Sequence, residues 1–235
     1  MTMVYLIPSI LSPGGLPAIH PYTLQELNQC QVIFAEELRT TRRFLKSMDA
    51  SINIDGFEWH EMQQGNADMA MHFKKAVGSK KNIAIISEAG CPGVADPGQS
   101  LVLIAHQLGC QVKPLVGPSS ILLALMASGM NGQQFEFVGY LPIEQSQRLQ
   151  KIKEIETHSL KRNSTVIFIE TPYRNDTLWN TILQHAHVDT LLCVAKDLTG
   201  KEEFIKTATV AHWRKETITL GKVPVVFLLY AGKPG

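Results

Sequence analysis

Apolar residues fall along this chain in two rhythms. Continuous apolar runs too short for a helix, such as Val32-Ile-Phe-Ala35 and Ile83-Ala-Ile-Ile86, predict strands buried on both faces. Between such runs apolar positions recur at helical spacing, as Met69, Phe73 and Val77 do within residues 68–77. On this basis the first half reads as strand 4–8, helix 22–29, strand 32–35 and helix 42–48. An extended stretch 52–59, helix 68–77, strand 83–86, a helix from Gly98 to Gly109 and strand 111–115 follow. This βαβα alternation predicts a mostly parallel sheet with helices on both faces.

Val116-Gly-Pro-Ser-Ser120 then leads into a Leu/Ala/Met-rich helix over 121–128, with Ser119 or Ser120 as its N-cap and Gly129 as its stop. Beyond it the character changes. An aromatic strand 135–140, a charged helix 146–157, a buried strand 165–169, a helix 178–185, an extended stretch 191–195 and an apolar strand 223–230 are expected. A junction near residues 115–119 predicts two α/β domains: residues 1–115 with a mostly parallel sheet, and 116–235 with a mixed one. So short a linker implies close packing, with a cleft between the halves.

The stretch with the most chemical content is Ser87-Glu-Ala-Gly-Cys-Pro-Gly-Val-Ala-Asp-Pro-Gly98. It joins a buried strand to a helix, and so lies at the carboxyl end of a strand, where open α/β sheets bind ligands. Gly90 and Gly93 permit close backbone approach, while Pro92 and Pro97 stiffen the loop. Ser87, Glu88 and Asp96 supply polar groups on an otherwise small surface. The formal net charge of +1 gives no global field toward nucleic acid or membrane, so any such contact must be local. Arg39, Arg42, Arg43 and Lys46 are the best local candidate, because these spacings share one helical face. Phosphates, or plain solvent, would satisfy that face equally.

No apolar run reaches membrane-spanning length, and the first residues read as a strand without a basic leader. The four scattered cysteines lack Cys-x-x-Cys spacing, which favours reduced thiols in a cytoplasmic protein. His185 and His187 point in different directions at a helix end, and no metal site is expected. A dinucleotide Gly-x-Gly-x-x-Gly after a strand, a Walker-type Gly-Lys-Ser/Thr and a Gly-x-Ser-x-Gly elbow are all missing.

Motifs in register nevertheless point to one family. The 87–98 loop resembles the Ser-Asp-Ala-Gly-Thr-Pro…Asp-Pro-Gly loop of the tetrapyrrole (corrin/porphyrin) methylases. Pro114-Leu-Val-Gly-Pro-Ser-Ser120, Phe137-Val-Gly-Tyr-Leu-Pro142 and Ala35-Glu-Glu-Leu-Arg-Thr-Thr-Arg-Arg-Phe-Leu45 resemble motifs of the branch that methylates a ribose 2′-hydroxyl of 16S ribosomal RNA. The resemblance implies two α/β domains of the tetrapyrrole methylase (class III methyltransferase) type, with S-adenosylmethionine in the cleft between them. It also implies a cytoplasmic homodimer and ribosomal RNA or the small ribosomal subunit as partner, with no membrane. Carried over by position, the cofactor-lining residues would be Pro8, Glu88, Ala89, Gly90, Val94, Ala95, Ser119 and Ser120. Thr171, Leu198 and Pro224 would join them from the second domain.

Methyl transfer asks the protein mainly to align nucleophile and methyl group. A ribose hydroxyl is a poor nucleophile, so Glu36, Glu37 and Glu170 are candidate general bases. Ion pairing with neighbouring arginines is the competing role for such acids, as helix capping is for Ser119 and Ser120. Arg39, Arg42 and Arg43 would face the RNA. The chain also departs from the branch. Its N-terminal Thr-Pro-Ile-Gly-Asn-Leu-Gly-Asp is matched only at Pro8, Glu37 and Leu38 replace an Asp and a Thr, and Glu88 replaces an Asp. These changes bear on the acceptor more than on the cofactor. They leave open a tetrapyrrole or other small-molecule acceptor, or a catalytically silent cofactor-binding homologue.

Overall fold

Among the described residues ten strands gather into two five-stranded sheets, one in each of two units, Met1–Ser119 and Ser120–Gly235. The computed structural model describes residues 1–62 and 67–232, the side chain of Ala67 excepted.

In the first unit β1 (Met3–Ile7), β2 (Val32–Ala35), β3 (Glu58–Glu61), β4 (Ile83–Ile86) and β5 (Gln111–Pro114) run parallel in the order β3-β2-β4-β1-β5. The three inner strands are the apolar ones, because helices cover both their faces. Residues of α1 (Tyr22–Leu27) and α2 (Leu38–Met48), among them Leu27, Phe44 and Leu45, pack on Tyr5, Ile33 and Ile86. Residues of α3 (Ala67–Gly78) and α4 (Gly98–Gln107), among them Phe73, Leu101 and Ala105, pack on Val4, Phe34 and Ile85. The chain therefore winds one way from β1 to β3 and the other way from β3 to β5. Adjacent β1 and β4 send their following loops to opposite faces, which makes their carboxyl ends the switch point of the sheet.

The second unit holds α5 (Ser120–Ser128), β6 (Phe135–Tyr140), α6 (Gln145–Arg162), β7 (Thr165–Glu170), α7 (Asn175–His185), β8 (Leu191–Lys196), β9 (Phe204–Thr209), α8 (Val210–Trp213) and β10 (Val225–Tyr230). Its sheet order is β6-β7-β10-β8-β9, parallel only between β6 and β7. β10 is central and buried throughout, and Phe227 stacks on Phe168 while Trp179 and Trp213 meet edge-on beneath.

Local departures from the expected elements have identifiable causes. Residues 52–59 are not one extended run, since a 3-10 turn at Ile54–Gly56 precedes β3. Helix α6 continues past residue 157 to Arg162, where Asn163 in the left-handed region (φ 51°) stops it. Asn175 starts α7 ahead of residue 178, and the last strand begins at Val225, after Pro224. β9 and α8 lie where the apolar pattern predicts no element.

Candidate active site

At the switch point three loops of the first unit meet. Ser9, just beyond β1, exchanges backbone hydrogen bonds with Gly90 (2.9 and 3.2 Å), and its Oγ donates to the Ser87 carbonyl (2.8 Å). The Cys91 thiol lies 3.4 Å from the Pro118 carbonyl and 3.8 Å from that of Gly117, tying the loop after β4 to the loop after β5. Gly90 has φ +75°, and a Cβ there would stand 3.1 Å from Leu11 and 3.4 Å from the Pro118 carbonyl. Gly117 is tighter still, because its Cβ would sit 2.1 Å from the Pro8 Cβ. Pro8 is accordingly buried under Gly117, as packing between two loops.

A carboxylate fixes the loop from each side. The Glu36 backbone continues the pairing of β2 with β4 by donating to the Ile86 carbonyl (3.0 Å), and its Oε2 accepts from the Glu88 amide (2.8 Å). Asp96 Oδ1 accepts from the amides of Gly93 (2.8 Å) and Gly98 (2.9 Å), folding the loop over itself. Asp96 Oδ2 is buried with no hydrogen-bond partner. Burial raises the Asp96 carboxyl above its usual range, the two amides pull it back and the nearby Glu36 raises it further. Glu88, Ala89, Val94 and Ala95 (φ +62°) remain exposed around this frame, while Gly90 is buried in it. Of the remaining candidates here, Ser119 ends the first unit half-buried and Ser120 opens α5.

Glu37 is one residue away but differently engaged. It is the N-cap of α2, accepting from the amides of Arg39 (3.1 Å) and Thr40, and these bonds hold its carboxyl below the usual range. Arg39, Arg42, Arg43 and Lys46 are exposed along α2, and among the described residues none of them makes an ion pair. Arg42 lies over the Trp59 ring at 5.0 Å, and Lys46 donates to the Ala50 carbonyl.

Glu170, Thr171, Leu198 and Pro224 share one edge of the second unit's sheet, where β7 and β8 end and β10 begins. The Glu170 side chain is wholly buried. Its Oε1 accepts from the Thr171 amide (2.6 Å) and from Arg174 Nε and Nη2 (3.0 and 2.5 Å), while Oε2 has no partner. Leu198 is buried and Pro224 exposed. Sequence reasoning passed over the residues that steady this edge. Buried Asn175 donates to the carbonyls of Gly221 (3.3 Å) and Val223 (2.8 Å), and an asparagine at a helix start carries no signal of such a distant partner.

The set of donors and acceptors in the first unit fits S-adenosylmethionine. Small exposed residues leave backbone accessible, and the carboxylates of Glu88 and Glu36 suit a cofactor that bears a sulfonium, an ammonium and ribose hydroxyls, while Asp96 shapes the loop from within. Among the described residues no cluster suited to a metal ion occurs.

The family model for Tetrapyrrole (Corrin/Porphyrin) Methylases matches residues 11–213. The Ribosomal RNA small subunit methyltransferase I of Bacillus subtilis is 32% identical over 231 residues, covering 96% of this chain and 75% of that protein. The protein of the same name from Halalkalibacterium halodurans is 30% identical over 215 residues, covering 89% of this chain and 70% of that one. Among solved structures, the methyltransferase CobJ superposes with a TM-score of 0.64 at 16% identity, covering 97% of this chain and 93% of its own. Diphthine synthase superposes with a TM-score of 0.67 at 13% identity, covering 98% and 90%. The two-sheet architecture is thus shared even where little sequence is, and the chain belongs to the tetrapyrrole (corrin/porphyrin) methylase family of methyltransferases.

Proposed function

We propose that this chain transfers a methyl group from S-adenosylmethionine to a ribose 2′-hydroxyl of small-subunit ribosomal RNA, acting as a cytoplasmic homodimer. The observation that carries the reading is the Glu36–Glu88 bond, which joins the start of α2 to the 87–98 loop. A cofactor frame and a stripe of exposed cations are thereby adjacent parts of one edge. Both relatives named above are ribosomal RNA small subunit methyltransferases, and the Ala35–Leu45 motif resembles that branch.

Bound S-adenosylmethionine would supply a methyl group already activated on its sulfonium. The chain supplies the rest. Ala89, Gly90, Val94 and Ala95 offer backbone and small apolar contact, with Ser119 and Ser120 at the third loop and Glu88 as an acceptor for hydroxyl or ammonium donors. By their match to the family's motifs, Thr171, Leu198 and Pro224, together on one edge of the second unit's own sheet, are further cofactor candidates. Arg39, Arg42 and Arg43 hold RNA phosphates, which needs no sequence reading. The hydroxyl proton requires an acceptor. Glu37 spends both oxygens on α2 amides, and Glu170 is wholly buried. Glu36 keeps one oxygen after binding the Glu88 amide, and we assign the proton to it.

Calorimetric titration with S-adenosylmethionine tests the shared premise: saturable heat is expected, and none at millimolar cofactor defeats it. Small subunits from cells lacking this protein, incubated with methyl-labelled cofactor, then test the acceptor. Label on ribose is expected; cofactor binding without label on RNA shifts the reading to another acceptor or a silent homologue. Light scattering at twice the monomer mass checks the dimer.

A further inference from the structure

Tyr173 is 81% exposed at the edge of the second unit and covers no core. A lone surface tyrosine is ordinary; what singles this one out is how firmly its surroundings are held. It sits third in the turn Thr171-Pro-Tyr-Arg174, closed by the Arg174 amide on the Thr171 carbonyl (2.9 Å), with Pro172 fixing the preceding residue. The turn is anchored beneath by Arg174, whose guanidinium is forked on buried Glu170. Over the ring, at 5.4 Å, stands Lys222 Nζ. Lys222 is equally constrained, since buried Asn175 binds the carbonyls on either side of it, Gly221 and Val223, and Asp176 takes the Leu220 amide (2.8 Å). The backbone that carries the exposed aromatic and the exposed cation is therefore held by two sets of bonds, at the carboxyl ends of β7 and β8.

An exposed π-face on a firmly held turn, with an adjoining ammonium, suits one ligand chemistry, an unstacked nucleobase beside its phosphate. We propose that Tyr173 and Lys222 form a stacking platform for a base of the acceptor RNA, with Lys222 also meeting the neighbouring phosphate. This rests on the RNA reading above and extends it. The α2 stripe holds backbone, whereas this platform would select an unpaired strand.

The test compares Tyr173→Ala, Tyr173→Phe and Lys222→Met in the full-length protein, using small ribosomal subunits as acceptor. Stacking of a base on an aromatic ring is worth on the order of tenfold or more in affinity. Tyr173→Ala should therefore raise KM for the subunits about tenfold while kcat, cofactor Kd and melting temperature hold. Tyr173→Phe should restore KM, because a ring suffices. Lys222→Met should lower the salt dependence of log KM by roughly 0.7, the share of one single-strand phosphate. A KM for Tyr173→Ala within twofold of wild type overturns the platform, as does Phe failing where Ala fails. Wild-type protein leaving the RNA unlabelled refutes the RNA reading itself and the platform with it; labelled RNA with unchanged KM refutes the platform alone.

Discussion

Replacing Gly117 by alanine isolates the packing that brings the candidate cofactor loops together. The added Cβ would stand 2.1 Å from the Pro8 Cβ and 2.4 Å from its Cγ. Ordinary contact begins at 3.4 Å, so the loops must part by about 1.3 Å, the difference between 3.4 and 2.1 Å. Pro8 has little room to yield. It is a ring, it is buried, and its neighbour Ser9 is hydrogen-bonded in both directions to Gly90. Overpacking of this kind costs about 1–3 kcal/mol, and two stiff partners put the change at the upper end. For a chain of this size the melting temperature should fall by roughly 5–10 °C. A displacement of about 1 Å at a positioning loop also costs on the order of a hundredfold in turnover. Gly109→Ala is the control. Gly109 has φ +69° but nothing within 4 Å of the added carbon, so it meets only the left-handed backbone penalty of roughly 1–2 kcal/mol. Scanning calorimetry and methyl transfer at saturating cofactor read both effects. A Gly117→Ala protein that melts no lower than Gly109→Ala and keeps turnover within twofold refutes this account of the loop junction.

Thiol chemistry gives a second check. Burial pushes Cys30 up to about 12 and raises Cys110 and Cys193; Cys91 is raised too, by burial and the nearby Asp96, but it alone of the four is half-buried and open to a reagent. Alkylation of the native protein near pH 8.5, mapped by mass spectrometry, should therefore modify Cys91 first, and cofactor should slow it; labelling of Cys30 ahead of Cys91 would contradict the burial. Asp96→Asn keeps an oxygen for the Gly93 and Gly98 amides while removing the half-buried charge. Because the folded pKa of Asp96 is raised, the wild type loses stability as pH climbs from the ordinary carboxylate value to the folded one. The variant should lose that slope in denaturant titrations, and an unaltered slope would show Asp96 to be solvated. Glu37 and Glu144 have the opposite sign. Each caps a helix and is held below 4.5, so its contribution is complete above that pH and fades as pH falls through the folded value. Replacing either by alanine should flatten the acid limb of the stability curve. Arg39→Ala combined with Arg43→Ala should raise KM for small subunits and reduce its salt slope by about 1.4, at unchanged cofactor affinity; an unchanged slope would return α2 to being a solvated face.

The elements buried on both sides were the ones visible beforehand. Ile83–Ile86 and Val225–Tyr230 are continuous apolar runs because each lies inside its sheet. Phe204–Thr209 escaped notice because it is an edge strand, where lysine and threonine can face water, and the short α8 after it has too few turns to show a period. The 87–98 loop could be read as a ligand loop from its position and composition, and its family from its letters. The partners of Glu36, Glu37 and Glu170 could not. Each of these acids looks alike in sequence, yet one bridges two loops, one caps a helix and one anchors a turn.

By itself, then, the chain's order of apolar runs and turn residues determined two α/β units, a glycine- and proline-rich loop at a strand end, and the family that such a loop marks. Only the tertiary structure decided that Gly117 must be small because Pro8 lies on it, that Glu36 holds the Glu88 amide, and that Tyr173 stands beneath Lys222. The physical reason is the same in each case. Periodicity records which face of an element is buried, whereas these pairs join loops far apart in the chain, and strand order alone brings such loops to the same edge.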